Sequence, residues 1–225
     1  MTTNSRVKKM IILETIIYVA LIIALFAVCD NRYSRRYYVP LKVVCSASFL
    51  VIFFLNFYYS ERLGLLMWAL LACFVGDILM GMYNTYLRKQ FMAIGIIAFM
   101  LGHVGFLNYM CRITDHTSVL VYILPVIPCL ILVGMRKWCH LHMGSLFAPC
   151  IIYCYFVSTM TLKAVECGLN GIQQLGIAGL LFLISDFTIL YLYFYHFSHI
   201  KNKRAVHYLN LATYYAAIIL FIYSL

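Results

Sequence analysis

Long apolar runs alternate along the chain with short polar breaks, and the runs are long enough to cross a bilayer. A hydrocarbon core takes about 20 residues of helix at about 1.5 Å each. Runs of that length lie near residues 10–29, 38–58, 63–83, 91–110, 118–135, 146–165, 172–195 and 205–224. Backbone groups at that depth have no water to bond, so each run is expected to be helical. The predicted fold is all-α, a polytopic membrane protein with eight transmembrane helices in one bundle. The first run follows Arg6, Lys8 and Lys9 as a secretory leader would, but it is long, contains Glu14 and lacks a small-x-small cleavage site. It is therefore read as a helix of the bundle.

Three of these runs are interrupted near their middle by an ionisable residue: Asp77 in LLACFVGDILMGM, His103 in AIGIIAFMLGHVGFL and Asp186 in GLLFLISDFTILYL. A charge at the bilayer centre costs roughly 3 kcal/mol on insertion scales, so one that is kept there usually faces a polar cavity. Each follows a small residue, Gly76, Gly102 or Ser185, which lets helices approach closely and leaves room beside the polar group. A single buried Asp is often only an interhelical hydrogen bond, and a single buried His is more often structural than catalytic. Two Asp and a His at similar depth point instead to a site.

The loops joining spans 1–2, 3–4, 5–6 and 7–8 share one side of the membrane and carry most of the loop Lys and Arg: Arg32, Arg35, Arg36, Arg88, Lys89, Arg136, Lys137, Lys201, Lys203 and Arg204. The other side has Arg6, Lys8, Lys9, Arg62, Arg112 and Lys163. The positive-inside rule favours termini outside the cytosol, against which stands the basic N-terminus. Lys42, Asp77 and Asp186 all lean toward the more basic side. A shift of 109 residues superposes Pro40 on Pro149, Cys45 on Cys154, Asp77 on Asp186 and Tyr86 on Tyr195. An offset of four spans is the signature of a parallel repeat, whose interface is a natural place for a site.

Composition narrows the class further. The 225 residues are 65% hydrophobic and 11% charged, with a mean hydropathy of +0.93, which leaves no room for a soluble domain. Residues 1–225 are read as a single integral membrane domain. The formal charge of +10 comes from Lys and Arg spread over short loops, not gathered on one face, so nucleic acid is not an expected partner. The nine cysteines form no CxxC and sit mostly in apolar runs, where they read as small packing residues. No metal site is expected, since Cys139-His140-Leu141-His142 and the His196 and His199 pair do not build a zinc ligand set.

The candidates for chemistry are Asp77 and Asp186 as an acid–base pair, with His103 as an orienting or proton-relay group. Candidates for contact with a lipid headgroup are Lys42, Arg204 and Tyr83, although Lys42, just past Pro40 at a helix start, is also placed to snorkel to the interface. No G-x-S-x-G elbow, P-loop or Gly-rich nucleotide motif is present, and Ser185 and Asp186 diverge by about 100° on one helix, which disfavours a nucleophile pair.

The motifs GDILM (76–80), Phe99-x-x-x-His103, LFLISDFTIL (181–190) and RAVHYLNLATYYAA (204–217) resemble, in matching order, the YhhN family, whose animal members are the lysoplasmalogenase-like transmembrane proteins. Two positions depart from the family pattern. Lys42 follows Pro40 where the family lysine precedes its proline, and Ala216-Ala217 stands in place of an Ala-Gln pair. The resemblance implies a membrane hydrolase that cleaves the vinyl ether bond of lysoplasmalogens to a fatty aldehyde and glycerophosphoethanolamine or glycerophosphocholine, with Asp77, His103 and Asp186 on the matching motif positions. Acid–base cleavage of a vinyl ether requires no metal or organic cofactor, the expected partners are a lysophospholipid and membrane lipids, and a multispan, eukaryotic-looking lipid enzyme points to the endoplasmic reticulum membrane. A homodimer is compatible with the sequence. The residues alone leave two rivals: a proton-coupled transporter using the same buried carboxylates, and a catalytically silent lipid-binding membrane protein.

Overall fold

The computed structural model describes residues 3–29, 35–57, 63–114, 116–138, 141–195 and 203–224. Nine helices run through them: α1 (Thr3–Val28), α2 (Arg35–Phe57), α3 (Leu63–Tyr86), α4 (Lys89–Ile113), α5 (Leu120–Ile123), α6 (Val126–Trp138), α7 (Phe147–Leu169), α8 (Gln173–Phe194) and α9 (Lys203–Ile222). They make eight spans of sufficient length and hydropathy to cross a membrane, because α5 and α6 together form the fifth. No strand occurs among the described residues.

The fifth span differs from the expected unbroken helix over 118–135. It is interrupted at Leu124 and Pro125. Pro125 and Pro128 have no N–H to donate to the turn before them, so the carbonyl of Leu124 accepts from Ile127, at 2.9 Å, in a tighter turn. The span is thereby split into a short turn and a separate helix.

The predicted repeat has a counterpart in the packing. α1 packs on α2 as α6 does on α7, α2 on α3 as α7 does on α8, and α3 on α4 as α8 does on α9, whereas α4 packs far more extensively on α7 than α9 does on α2. The order of neighbours within each half agrees with the repeat, while the contacts between the halves are unequal. One pair of positions 109 apart meets between the halves: the Tyr193 hydroxyl donates to Asn84 Oδ1 at 2.7 Å.

Close helix approach rests on small residues. A Cβ at Gly105 would stand 2.8 Å from Ala69 Cβ and 2.9 Å from Ala69 Cα, whereas one at Gly64 would meet nothing within 4 Å. Gly105→Ala is therefore expected to destabilise the α3–α4 pair by about 1–3 kcal/mol, as overpacking does. The comparison is with Gly64→Ala by thermal unfolding in detergent, where Gly64→Ala should leave the midpoint unchanged. The core beyond this pair is aromatic: Phe106 of α4 stacks on Phe221 of α9 at 4.2 Å, and Phe182 of α8 packs against both.

Lys163, expected among the loop charges, is instead fully buried in α7. Its Nζ pairs with Glu166 at 2.7 Å and donates to the His116 carbonyl at 2.8 Å, while the Ser118 N–H donates to Glu166 at 2.8 Å. The pair ties down the segment before α5, and it removes one charge from the less basic side.

Candidate active site

Asp77 is held at both of its carboxyl oxygens. α2 carries Lys42 and Ser46 one turn apart, so both point at the same place on α3. Lys42 Nζ lies 3.0 Å from Asp77 Oδ1, and the Ser46 hydroxyl donates to Asp77 Oδ2 at 2.6 Å. Ser46 spends its one proton on that bond, so the Tyr215 hydroxyl, 3.1 Å away, is the donor to Ser46. Tyr18 of α1 in turn donates to the Tyr215 carbonyl at 3.0 Å. Lys42 does not snorkel: it is 6% exposed, and its stem runs inward along α3. Asp77, itself 1% exposed, is a carboxylate with a cation and a hydroxyl already in place.

Asp186 is differently placed. Its Oδ2 is buried and has no hydrogen-bond donor in bonding geometry. His103 Nε2 stands 3.5 Å from it, an ion pair only when the imidazole is protonated. The same nitrogen lies 2.9 Å from the Tyr153 hydroxyl of α7. The His103 ring is fixed edge-on between Tyr153 and Phe182, with centroids 5.3 Å and 5.1 Å away, and has no exposed surface. Four helices therefore meet at the two carboxyl groups, with α2 and α3 setting Asp77 and α4 and α8 setting His103 and Asp186.

Two cavities adjoin this cluster. The first, about 410 Å³ including its open mouth, has a mixed wall, the more polar of the two, that includes Lys42, Asp77, Asn84, Asp186, Tyr193 and Asn210. It runs toward the membrane end where α3 and α8 finish and α2 and α9 begin, the side of the more basic loops. The second, about 920 Å³ including its open mouth, is lined almost wholly by apolar side chains of α3, α4, α6, α7 and α8. Met80, Phe99, Asp186 and Ile189 belong to both walls. Asp186 thus sits where a polar chamber meets an apolar one.

The structure brings Lys42, Asp77, His103 and Asp186 together. It does not bring Tyr83 or Arg204 to either cavity: Tyr83 packs edge-on against Tyr193 with centroids 5.5 Å apart, and Arg204 is exposed in the first turn of α9. Ser185 binds α8 to α9, receiving both side-chain hydrogens of Asn210 at 2.9 Å on its carbonyl and hydroxyl oxygens. Ser46, Tyr153 and Tyr215 were not singled out by sequence. Ser46 had a signal in its i, i+4 spacing from Lys42, but Tyr153 and Tyr215 are hidden among 19 tyrosines. Cys150 and Cys154, read as packing residues, line the apolar cavity, whereas Cys73 does pack closely, against Gly102.

Among the described residues no three His, Cys, Asp or Glu side chains gather as metal ligands. Cys139, His140, His196 and His199 lie outside the described residues. In comparison with known proteins, a model described as the YhhN family matches residues 37–225, from the start of α2 through α9, leaving α1 outside the match. No curated protein and no solved structure matches the chain.

Proposed function

The chain belongs to the YhhN family, and on that premise we propose that it is a lysoplasmalogenase-like hydrolase, cleaving the vinyl ether bond of a single-chain 1-alkenyl glycerophospholipid. The observation that carries this reading is the position of Asp186 at the junction of the two cavities. An amphiphile laid across them has its chain among apolar side chains and its phosphate beside Lys42. The bond joining chain to headgroup then falls at Asp186.

The chemistry needs two carboxyl groups in different states. Asp186, committed to no cation, hands a proton to the alkenyl carbon remote from the ether oxygen, and the π electrons form the new C–H bond. The oxygen-bearing carbon becomes an oxocarbenium ion. Asp77, kept as a carboxylate by Lys42 and Ser46, faces the same polar chamber and offsets that charge. Water adds to the cationic carbon and returns a proton to Asp186. The hemiacetal collapses to a fatty aldehyde and the glycerophospho-alcohol, so the sum is one vinyl ether plus one water. The same division between an acid and a charged carboxylate serves glycosidic oxocarbenium ions. His103 acts as a positioning group, holding Asp186 and Tyr153 in register through one nitrogen.

The test is incubation of the purified protein with a 1-alkenyl lysophospholipid and, separately, with its saturated 1-alkyl analogue. Aldehyde is expected from the first and none from the second, because only a vinyl ether can be protonated at carbon. A transporter would move substrate across a liposome wall and yield no aldehyde, and a silent lipid-binding protein would do neither.

A further inference from the structure

The apolar cavity exists because the two halves of the bundle are not packed alike. α1 rests on α9, and there Phe26 stacks on Tyr208 with centroids 5.1 Å apart. Shifted by 109 residues, these two positions are Met135 of α6 and Phe99 of α4. Met135 and Phe99 both line the cavity. Where one half has a stacked aromatic pair, the other has open space. Among the described residues, α6 has a packed helix interface on α7, with none of comparable extent on α4 or α8.

The facing walls are regular. Pro128, Ile131, Leu132 and Met135 repeat at i, i+3, i+4 and i+7 along α6, and Leu183, Asp186, Phe187 and Leu190 repeat likewise along α8. Ile131 and Phe187 line the cavity and are each 54% exposed, so neither is sealed off by a neighbouring helix. Both lie within membrane spans, so the gap between them faces hydrocarbon. We propose that the gap between α6 and α8 is a lateral portal through which the single alkyl chain of a bilayer lipid slides into the cavity. Ile131 and Phe187 form its lips, and Asp186, one residue before Phe187, stands just inside.

The occupant follows from the walls. An alkyl chain needs an apolar slot continuous with a polar chamber for its headgroup, and the two cavities share Met80, Phe99, Asp186 and Ile189. A chain already dissolved in the bilayer reaches such a slot without crossing water. The break at Pro125 separates α6 from α5, so the outer wall is a helix with little packing beyond its interface on α7 to lose when the portal widens. This inference rests on the chain-binding part of the proposed function and not on hydrolysis.

The test uses a probe that cannot be hydrolysed: a 1-O-alkyl lysophosphatidylethanolamine carrying a diazirine halfway along its chain, with the full-length protein in nanodiscs. Photolabelling that an excess of unlabelled 1-O-alkyl lipid suppresses is expected on cavity residues of α6 and α8. Ile131→Trp, filling the portal, should lower that suppressible labelling about tenfold. Leu130→Trp, one residue away, 65% exposed and outside the cavity wall, should leave it within about twofold. The portal is overturned if both variants label as the wild type does, if both lose labelling equally, or if the adducts fall only on outward-facing residues. Loss of aldehyde release with labelling intact would instead count against the hydrolase reading alone.

Discussion

Asp186→Asn should abolish aldehyde release from a 1-alkenyl lysophospholipid, lowering the rate by about 10²–10⁴-fold, the range lost with a general acid. The substitution keeps the size of the side chain and removes only its transferable proton. It should also leave the fold intact. The buried Oδ2 accepts no hydrogen bond, so an amide in its place forfeits no bond there. Binding of the non-hydrolysable 1-O-alkyl lipid should persist, since the cavity proposed for its chain is otherwise almost wholly apolar. A steady-state aldehyde assay on a variant with wild-type thermal stability is the check. A variant that binds lipid and turns it over at the wild-type rate would remove Asp186 from the chemistry.

Lys42→Met should be the most damaging single change to stability. It strands Asp77 as a carboxylate inside the bundle with Ser46 as its remaining hydrogen-bond partner among those described above, and breaking one side of a buried ion pair costs about 3–5 kcal/mol. Lys42→Met combined with Asp77→Asn should recover most of that loss, because no charge is then left uncompensated. The pair of single variants and the double variant form a cycle readable by thermal unfolding in detergent. If the double variant is no more stable than Lys42→Met alone, the ion pair is not what the lysine contributes. The stabilised double variant should still release little aldehyde, since the charge facing the oxocarbenium ion is gone.

Much of the architecture was legible because a bilayer permits few solutions. Apolar runs of span length have to be helices, and the ionisable residues inside them have to face inward, which placed Asp77, His103 and Asp186 before any coordinates. The direction of Lys42 was not legible. A lysine just inside a span can reach out to the interface or in to a carboxylate, and only the position of α3 beside α2 decides between them. Ser46 was within reach of spacing arguments, whereas Tyr153 and Tyr215 depend on which helices become neighbours. Tyr83 looked like a headgroup contact from its depth, but its ring packs on Tyr193, and Asn84 takes the place in the chamber wall. The apolar cavity was hidden for a different reason. It comes from helices that pack little on one another among the described residues, and a missing interface leaves no mark in a hydropathy pattern beyond the two prolines that break the fifth span.

The two aspartates differ in their partners. They are related by the 109-residue shift and face a common chamber, yet Lys42 has Ile151 at the corresponding position, so only one of them is ion-paired from its own half. The bundle thereby gives one carboxyl group a lysine from its own half and leaves the other beside His103 of the opposite half.

Hydrolysis of 1-alkenyl lysophospholipid by the purified wild-type protein in D₂O, with the aldehyde trapped as its hydrazone and weighed by mass spectrometry, reads the proton transfer itself. Protonation at carbon by an exchangeable carboxylic acid places one deuterium on the carbon next to the aldehyde, and Asp186→Asn should form almost none of this product. Aldehyde without deuterium, or no aldehyde from folded wild-type protein, would contradict vinyl ether cleavage by this site.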